Sequence, residues 1–142
     1  MPKYVEPFPA SSRNDVFGDL SPYREGRPHR GQDWSVPEGS LIRAMGSGAI
    51  KVNEWSDGLG WFVIQSTDGG KKFILYAHLK EQPKLTVGKF VYAGKTPIGR
   101  VGTTGRFSNG AHLHLSVATK QNVHTCAYDD LLDPLELLKE SE

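Results

Sequence analysis

The 142-residue chain carries a single cysteine, Cys126, so no disulfide can form within it. That excludes a cysteine-stapled secreted scaffold and leaves the redox compartment open. Nothing in it approaches the ~18 consecutive apolar residues of a membrane-spanning helix, so membrane insertion is not expected. The opening MPKYVEPFPASSRND has no basic start followed by an apolar core, and no Sec-type signal peptide is expected. An excess of one charge is also missing: 17 Lys and Arg face 16 Asp and Glu, for a formal net charge of +1. This balance gives no electrostatic footprint for nucleic acid or an anionic membrane. The absence of His-Glu-x-x-His removes the thermolysin-type zinc site.

What the chain has in quantity is glycine and proline, 16 and 9 residues, spread without low complexity. They point to many tight turns between short elements. Residues 1 to about 16 read as an extended, proline- and serine-rich lead-in. From Leu41 onward, short runs rich in β-branched and aromatic residues recur between glycines: SLIRA, GAIKVNEW, WFVIQS, KFILYAHL, KFVYA, IGRVG and HLHLSVA. Their lengths favour strands, and their regular spacing predicts an antiparallel all-β domain, barrel- or sandwich-like. DGGKK, between WFVIQST and FILYAHL, predicts a hairpin turn. Only DPLELLKESE reads as a helix, with Asp133 as N-cap, Pro134 at its first position and Glu136 at its third. A weak internal repeat, Gly39-x-x-Ile42-x-Ala44 then Ile50 against Gly88-x-x-Val91-x-Ala93 then Ile98, suggests two similar turn-and-strand corners. The length suits one domain.

Three histidine-bearing segments stand out. In GAHLHLSV, strand alternation puts His112 and His114 on one face and Leu113 and Leu115 on the other. In PHRGQDW, His29 and Asp33 lie four apart, with Pro28 and Gly31 arguing against a helix. Full extension would hold their Cα atoms roughly 13 Å apart, so a bend at Gly31 is needed to bring them together. In ILYAHLK, alternation puts Tyr76 and His78 on one face and Leu75, Ala77 and Leu79 on the other. Any one of these has a bland reading as solvated or hydrogen-bonded polar groups. Together, four histidines and an aspartate could supply three zinc ligands and leave two imidazoles for proton transfer near neutral pH.

In this order the segments resemble the lysostaphin/LytM-type zinc metallopeptidases, which cut peptidoglycan peptides. The matching pieces are HRGQD (29–33), GSLIRA (39–44), YAHL (76–79), IGRVGTTG (98–105) and HLH (112–114). VFG at 16–18 and the terminal DPLELL are also similar. The resemblance implies a mostly antiparallel sheet with a groove, one catalytic domain over about 16–138, and a single bound zinc ion. It implies His29, Asp33 and His114 as the ligands. His78 and His112 match the catalytic histidines that orient or deprotonate the attacking water and stabilise the tetrahedral intermediate. The implied substrate is a peptidoglycan peptide, in the stem or the cross-bridge, and a monomer is expected. The sequence departs from the family's frequent His-Leu-His-Phe-Glu: Leu115 and Ser116 stand in place of Phe and Glu. Losing that carboxylate could loosen the metal site, and Ser116, on the histidine face, could substitute in part.

Two other readings compete: a catalytically silent member that binds cell wall or a partner, and a cysteine peptidase or amidase pairing Cys126 with a histidine such as His124. A chain with one catalytic unit, no wall-binding domain and no signal also looks similar to phage endolysins, made in the host cytoplasm and released to the wall through a holin pore; a virion-associated lysin or a bacterial enzyme separated from its leader fits the sequence equally well.

Overall fold

A computed structural model of the chain describes residues 3–140. Its strands are β1 (Gln32–Trp34), β2 (Leu41–Arg43), β3 (Gly48–Ser56), β4 (Gly60–Thr67) and β5 (Lys72–Leu79), followed by β6 (Phe90–Val91), β7 (Pro97–Arg100), β8 (Leu113–Ala118) and β9 (Leu131–Leu132). One short helix, α1 (Pro134–Lys139), follows. The main sheet runs β1-β8-β5-β4-β3-β6, with β9 also pairing β8, while β2 and β7 form a separate two-stranded sheet. Every pairing is antiparallel. The all-β, mostly antiparallel reading therefore holds, as an open sheet with a smaller one laid against it. No described helix is long and apolar enough to cross a membrane.

All seven predicted runs form strands. Thr67 pairs with Lys72 across the predicted hairpin, whose turn takes positive φ at Asp68, Gly69 and Gly70. The helix is capped as its sequence predicts, Asp133 Oδ1 accepting the Leu135 N–H at 2.9 Å. The internal repeat corresponds to two like corners. Gly39 N–H donates to Val101 O at 2.7 Å and Val101 N–H returns to Ser40 O at 2.9 Å; Gly88 and Ile50 N–H make the same exchange with Ile50 O and Lys89 O, both at 2.8 Å. Each corner then buries its aliphatic residue, Ile42 or Val91.

The main sheet has two unlike faces. One carries Trp34, Ile50, Val63, Tyr76, Leu113 and Leu115, packed against Ile42 of β2 and Ile98 of β7 in a single apolar core. The other has a smaller apolar cluster around Phe62, Ile64, Leu75 and Ala77. Cross-strand partners share a face, so the Asp33↔His114 and Ala77↔His114 pairs put Asp33 and His114 on this second side. The segment before β1 is not merely extended. Tyr4 is buried, Val5 N–H donates to Met45 O at 2.8 Å, and a 3-10 turn forms at Ala10–Ser12.

Register slips at Ile42/Arg43 and at Ile50/Val52, and a third slip bears on the site. The β4–β5 register slips between Trp61↔Leu79 and Val63↔Tyr76, so Ala77 and His78 together oppose Phe62. This β-bulge, with φ of 60° at His78, shifts the phase by one residue. Leu79 rejoins the core beside Tyr76, and His78 lines the opposite side with Leu75. The expected sharing of a face by Tyr76 and His78 is therefore corrected.

Candidate metal centre

The second face of the sheet floors a groove of about 1030 Å³, in which His29, Asp33, His78, His112 and His114 all appear. Three of them meet. His29 Nε2 lies 3.2 Å from His114 Nδ1 and 3.3 Å from Asp33 Oδ1, and His114 Nδ1 lies 3.0 Å from the same oxygen. All three residues are largely buried.

Local sequence explains how they converge. Asp33 and His114 are direct partners across β1 and β8. His29 precedes β1 and reaches Asp33 through a bend at Gly31, as the spacing requires. Glycine is needed there for closeness: a Cβ at Gly31 would fall 2.2 Å from Leu115 O and 2.7 Å from Ser116 Oγ. The preceding loop folds back on the histidine, with His29 N–H donating to Asp19 O at 2.9 Å and Gly18 N–H to His29 O at 2.8 Å.

The outer partners set the proton positions. His29 Nδ1 lies 3.1 Å from Val16 O, an acceptor only, so Nδ1 carries the proton and Nε2 faces the cluster bare. His114 Nε2 lies 2.8 Å from Ser116 Oγ, and with the proton on Nε2 its Nδ1 is bare too. Burial opposes the charge on Asp33, but its carboxyl is held far below the usual carboxylate range beside the imidazoles of His114 and His29. Burial likewise lowers the pKa of His114, so its neutral form dominates. Three lone pairs thus converge on one point, an arrangement that a cation relieves. A tetrahedral ion with bonds of about 2.0–2.1 Å sets its ligand atoms roughly 3.3–3.4 Å apart, close to the spacing of this triangle. The donor set fits zinc.

The other two imidazoles are held alike. His78 Nδ1 donates to Thr104 O at 2.7 Å and His112 Nδ1 to Gly110 O at 2.8 Å, and each Nε2 is without a hydrogen bond among the described residues. Their ring centres are 4.8 Å apart, and His112 Nε2 is 3.9 Å from Asp33 Oδ2. Burial, with His114 alongside, pushes the pKa of His78 down to about 4, which leaves it neutral near pH 7. His112 itself lies just before β8, outside the strand predicted for it. The alternation nonetheless holds, with Leu113 and Leu115 fully buried in the core. Sequence reasoning missed Val16 and Thr104, which act through main-chain carbonyls that residue type does not reveal.

The pairing of Cys126 with a histidine is not realised. Cys126 Sγ donates to Val123 O at 3.5 Å and lies 3.7 Å from Arg30 Nη2, while the His124 ring rests on Phe62 with centres 4.9 Å apart. Among the described residues no imidazole reaches the thiol.

A His/Asp/His cluster able to hold a metal, two further imidazoles and an open groove form a hydrolytic type of site on an antiparallel scaffold. The chain belongs to peptidase family M23, which residues 27–125 match. An 88-residue stretch, 62% of the chain, is 36% identical to the DD-carboxypeptidase/endopeptidase Mpg of Neisseria meningitidis serogroup B and of Neisseria gonorrhoeae. It spans only 19% of those relatives' length. The catalytic domain of the antimicrobial peptidase lysostaphin from Staphylococcus simulans superposes with a TM-score of 0.75 at 28% identity, over 89% of this chain and 91% of that one. LytU superposes with a TM-score of 0.78 at 25% identity, over 97% of this chain and 91% of that one.

Proposed function

We propose that the chain is a zinc-dependent endopeptidase that hydrolyses peptide bonds in bacterial peptidoglycan, with residues 16–138 as its catalytic unit. His29, Asp33 and His114 are the proposed ligands, and His78 and His112 the proposed catalytic residues. The observation that carries this reading is the triangle of Nε2, Oδ1 and Nδ1 at 3.0–3.3 Å beside two imidazoles with free Nε2 atoms. Family membership and the relatives named as an endopeptidase and an antimicrobial peptidase support it.

Zinc, when bound, supplies Lewis acidity toward the scissile carbonyl and makes water a better nucleophile near neutral pH. The protein's own contribution is proton handling. Each Nδ1–H is tied to a main-chain carbonyl, so each Nε2 is fixed as the basic atom. Between them these two atoms hold the proton lost by water and return it to the leaving amine, work for which a neutral imidazole is suited. Protonated, either one can donate to the oxyanion. Sheet-borne Asp33 and His114 hold the reaction centre on a rigid floor.

The test is digestion of purified peptidoglycan, with mass spectrometry of the fragments. New amino and carboxyl termini, lost with a chelator and restored by zinc, are expected. Cleavage at sugar linkages, or peptide cleavage indifferent to chelation, would overturn the proposal. An endolysin setting belongs to the same proposal and rests on the family resemblance alone. It predicts lysis of host cells when the chain is co-expressed with a holin, and none without one.

A further inference from the structure

The segment IGRVGTTG, 98–105, enters the chemistry just described only through the Thr104 carbonyl, yet it packs along the bulge that carries His78. That residue sits at the end of a bulged strand with φ of 60°, a backbone region that residues other than glycine seldom occupy. Its N–H donates to Leu59 O at 2.8 Å and its carbonyl accepts the Gly102 N–H at 3.0 Å. Contacts here are closer than side chains allow. A Cβ at Gly102 would fall 2.4 Å from the Lys80 backbone, and one at Gly105 would fall 2.3 Å from Gly60 N. One at Gly60 would fall 2.2 Å from Thr104 Oγ1.

Thr104 stands at the centre of this packing. Its carbonyl accepts the His78 Nδ1–H. Its hydroxyl donates to Leu79 O at 2.6 Å and accepts the Trp61 N–H at 3.3 Å. Trp61 and Leu79 are the register partners on the far side of the bulge. One hydroxyl that both donates and accepts therefore bridges the two strands where the bulge breaks their ladder, a task serine could share and valine could not.

We propose that Thr104 is a positioning residue, whose hydroxyl clamps the bulge so that His78 keeps its Nδ1–H on the Thr104 carbonyl and aims Nε2 into the groove. The catalytic consequence rests on the reading of His78 given above; the clamp itself does not.

The experiment compares Thr104→Val and Thr104→Ser in the zinc-loaded full chain. Three readouts are needed: zinc affinity by chelator competition, kcat and KM on peptidoglycan peptides, and the nitrogen NMR signals of the His78 ring. Thr104→Val is expected to hold zinc like the parent, lose about 10- to 100-fold in kcat and show a mixture of His78 tautomers. Thr104→Ser is expected to keep one tautomer and near-parental kcat. Thr104→Ala, which adds no bulk against Gly60, takes the place of valine if that variant fails to fold. A single unchanged tautomer in the hydroxyl-less variant overturns the proposal, whatever its kcat. If the parent itself cuts no peptide bond, the catalytic reading of His78 fails, while the ring spectrum still decides the clamp.

Discussion

Ser116 Oγ lies 2.8 Å from Nε2 of His114, on the side of the ring away from Asp33. Where the family often has a glutamate, this chain has a hydroxyl that meets the His114 imidazole without adding charge. Ser116→Ala should weaken zinc binding about 10- to 100-fold, as removal of outer partners of metal-site histidines does, and Ser116→Thr should preserve it. His114→Ala, which removes one of three proposed protein ligands, should abolish stoichiometric zinc altogether. Chelator competition and metal analysis separate the two cases. Unchanged affinity in Ser116→Ala would dismiss the hydroxyl; full zinc in His114→Ala would dismiss the site.

The two sides of β8 predict opposite phenotypes. Leu113 is fully buried in the core while His112 lies at the groove. Leu113→Ala should cost ~2–5 kcal/mol of stability and leave turnover of the folded fraction nearly intact. His112→Ala should keep stability and zinc, and lose about 10²–10⁴-fold in kcat. Melting curves and zinc-saturated turnover on both variants are the check; equal melting temperatures for parent and Leu113→Ala would contradict the alternation.

Acid should destabilise the metal-free protein in a defined window. The folded-state pKa of His78 is about 4 against an ordinary 6.5, so between these values the unfolded chain takes up a proton that the folded one refuses. Stability contributed by neutral His78 is whole above pH 6.5 and declines as pH falls toward 4, by at most about 3 kcal/mol. His114 acts in the same direction. Asp33, held ionised, loses its contribution only below the ordinary carboxylate pKa. Urea unfolding at pH 7 and pH 4.5 should show a lower midpoint in acid, and His78→Gln should shrink the difference. Identical midpoints in the parent would contradict the assigned burial.

Gly31→Ala should damage the site from a position with no polar side chain. Its Cβ would enter the space of Leu115 O and Ser116 Oγ, so β1 must move off β8 and carry Asp33 with it. We expect a loss of zinc affinity comparable to that of Ser116→Ala or larger, read by the same chelator competition. Parental affinity would mean that the strand gap closes without Gly31.

Much of this architecture was legible in the residues. Runs of eight or nine, such as β3 to β5, have room for alternation to declare itself, and Asp133-Pro134 marks a helix start unambiguously. β1 and β9 were not read as strands, because they lack the β-branched and aromatic run between glycines that marked the equally short β2 and β6. The five polar groups of the groove were found through spacing and family resemblance. The phase slip at His78 was not, since a bulge is a property of the register between two strands and neither strand shows it alone. Thr104 and Val16 were missed for a related reason: any residue has the carbonyl they contribute.

Asp33 and His114 are neighbours in the sheet but lie 81 positions apart along the chain. A zinc ion held by both would tie a long loop in much the way a disulfide does, in a protein whose lone cysteine cannot form one. Closing a loop of that length limits the unfolded chain by an amount on the order of 4–5 kcal/mol in the chain-entropy view. The ion proposed to activate the reaction would then also serve as a cross-link between β1 and β8. Chelation should accordingly lower the melting temperature as well as stop turnover, and inactive His78→Ala, with its ligands intact, should show the same thermal loss.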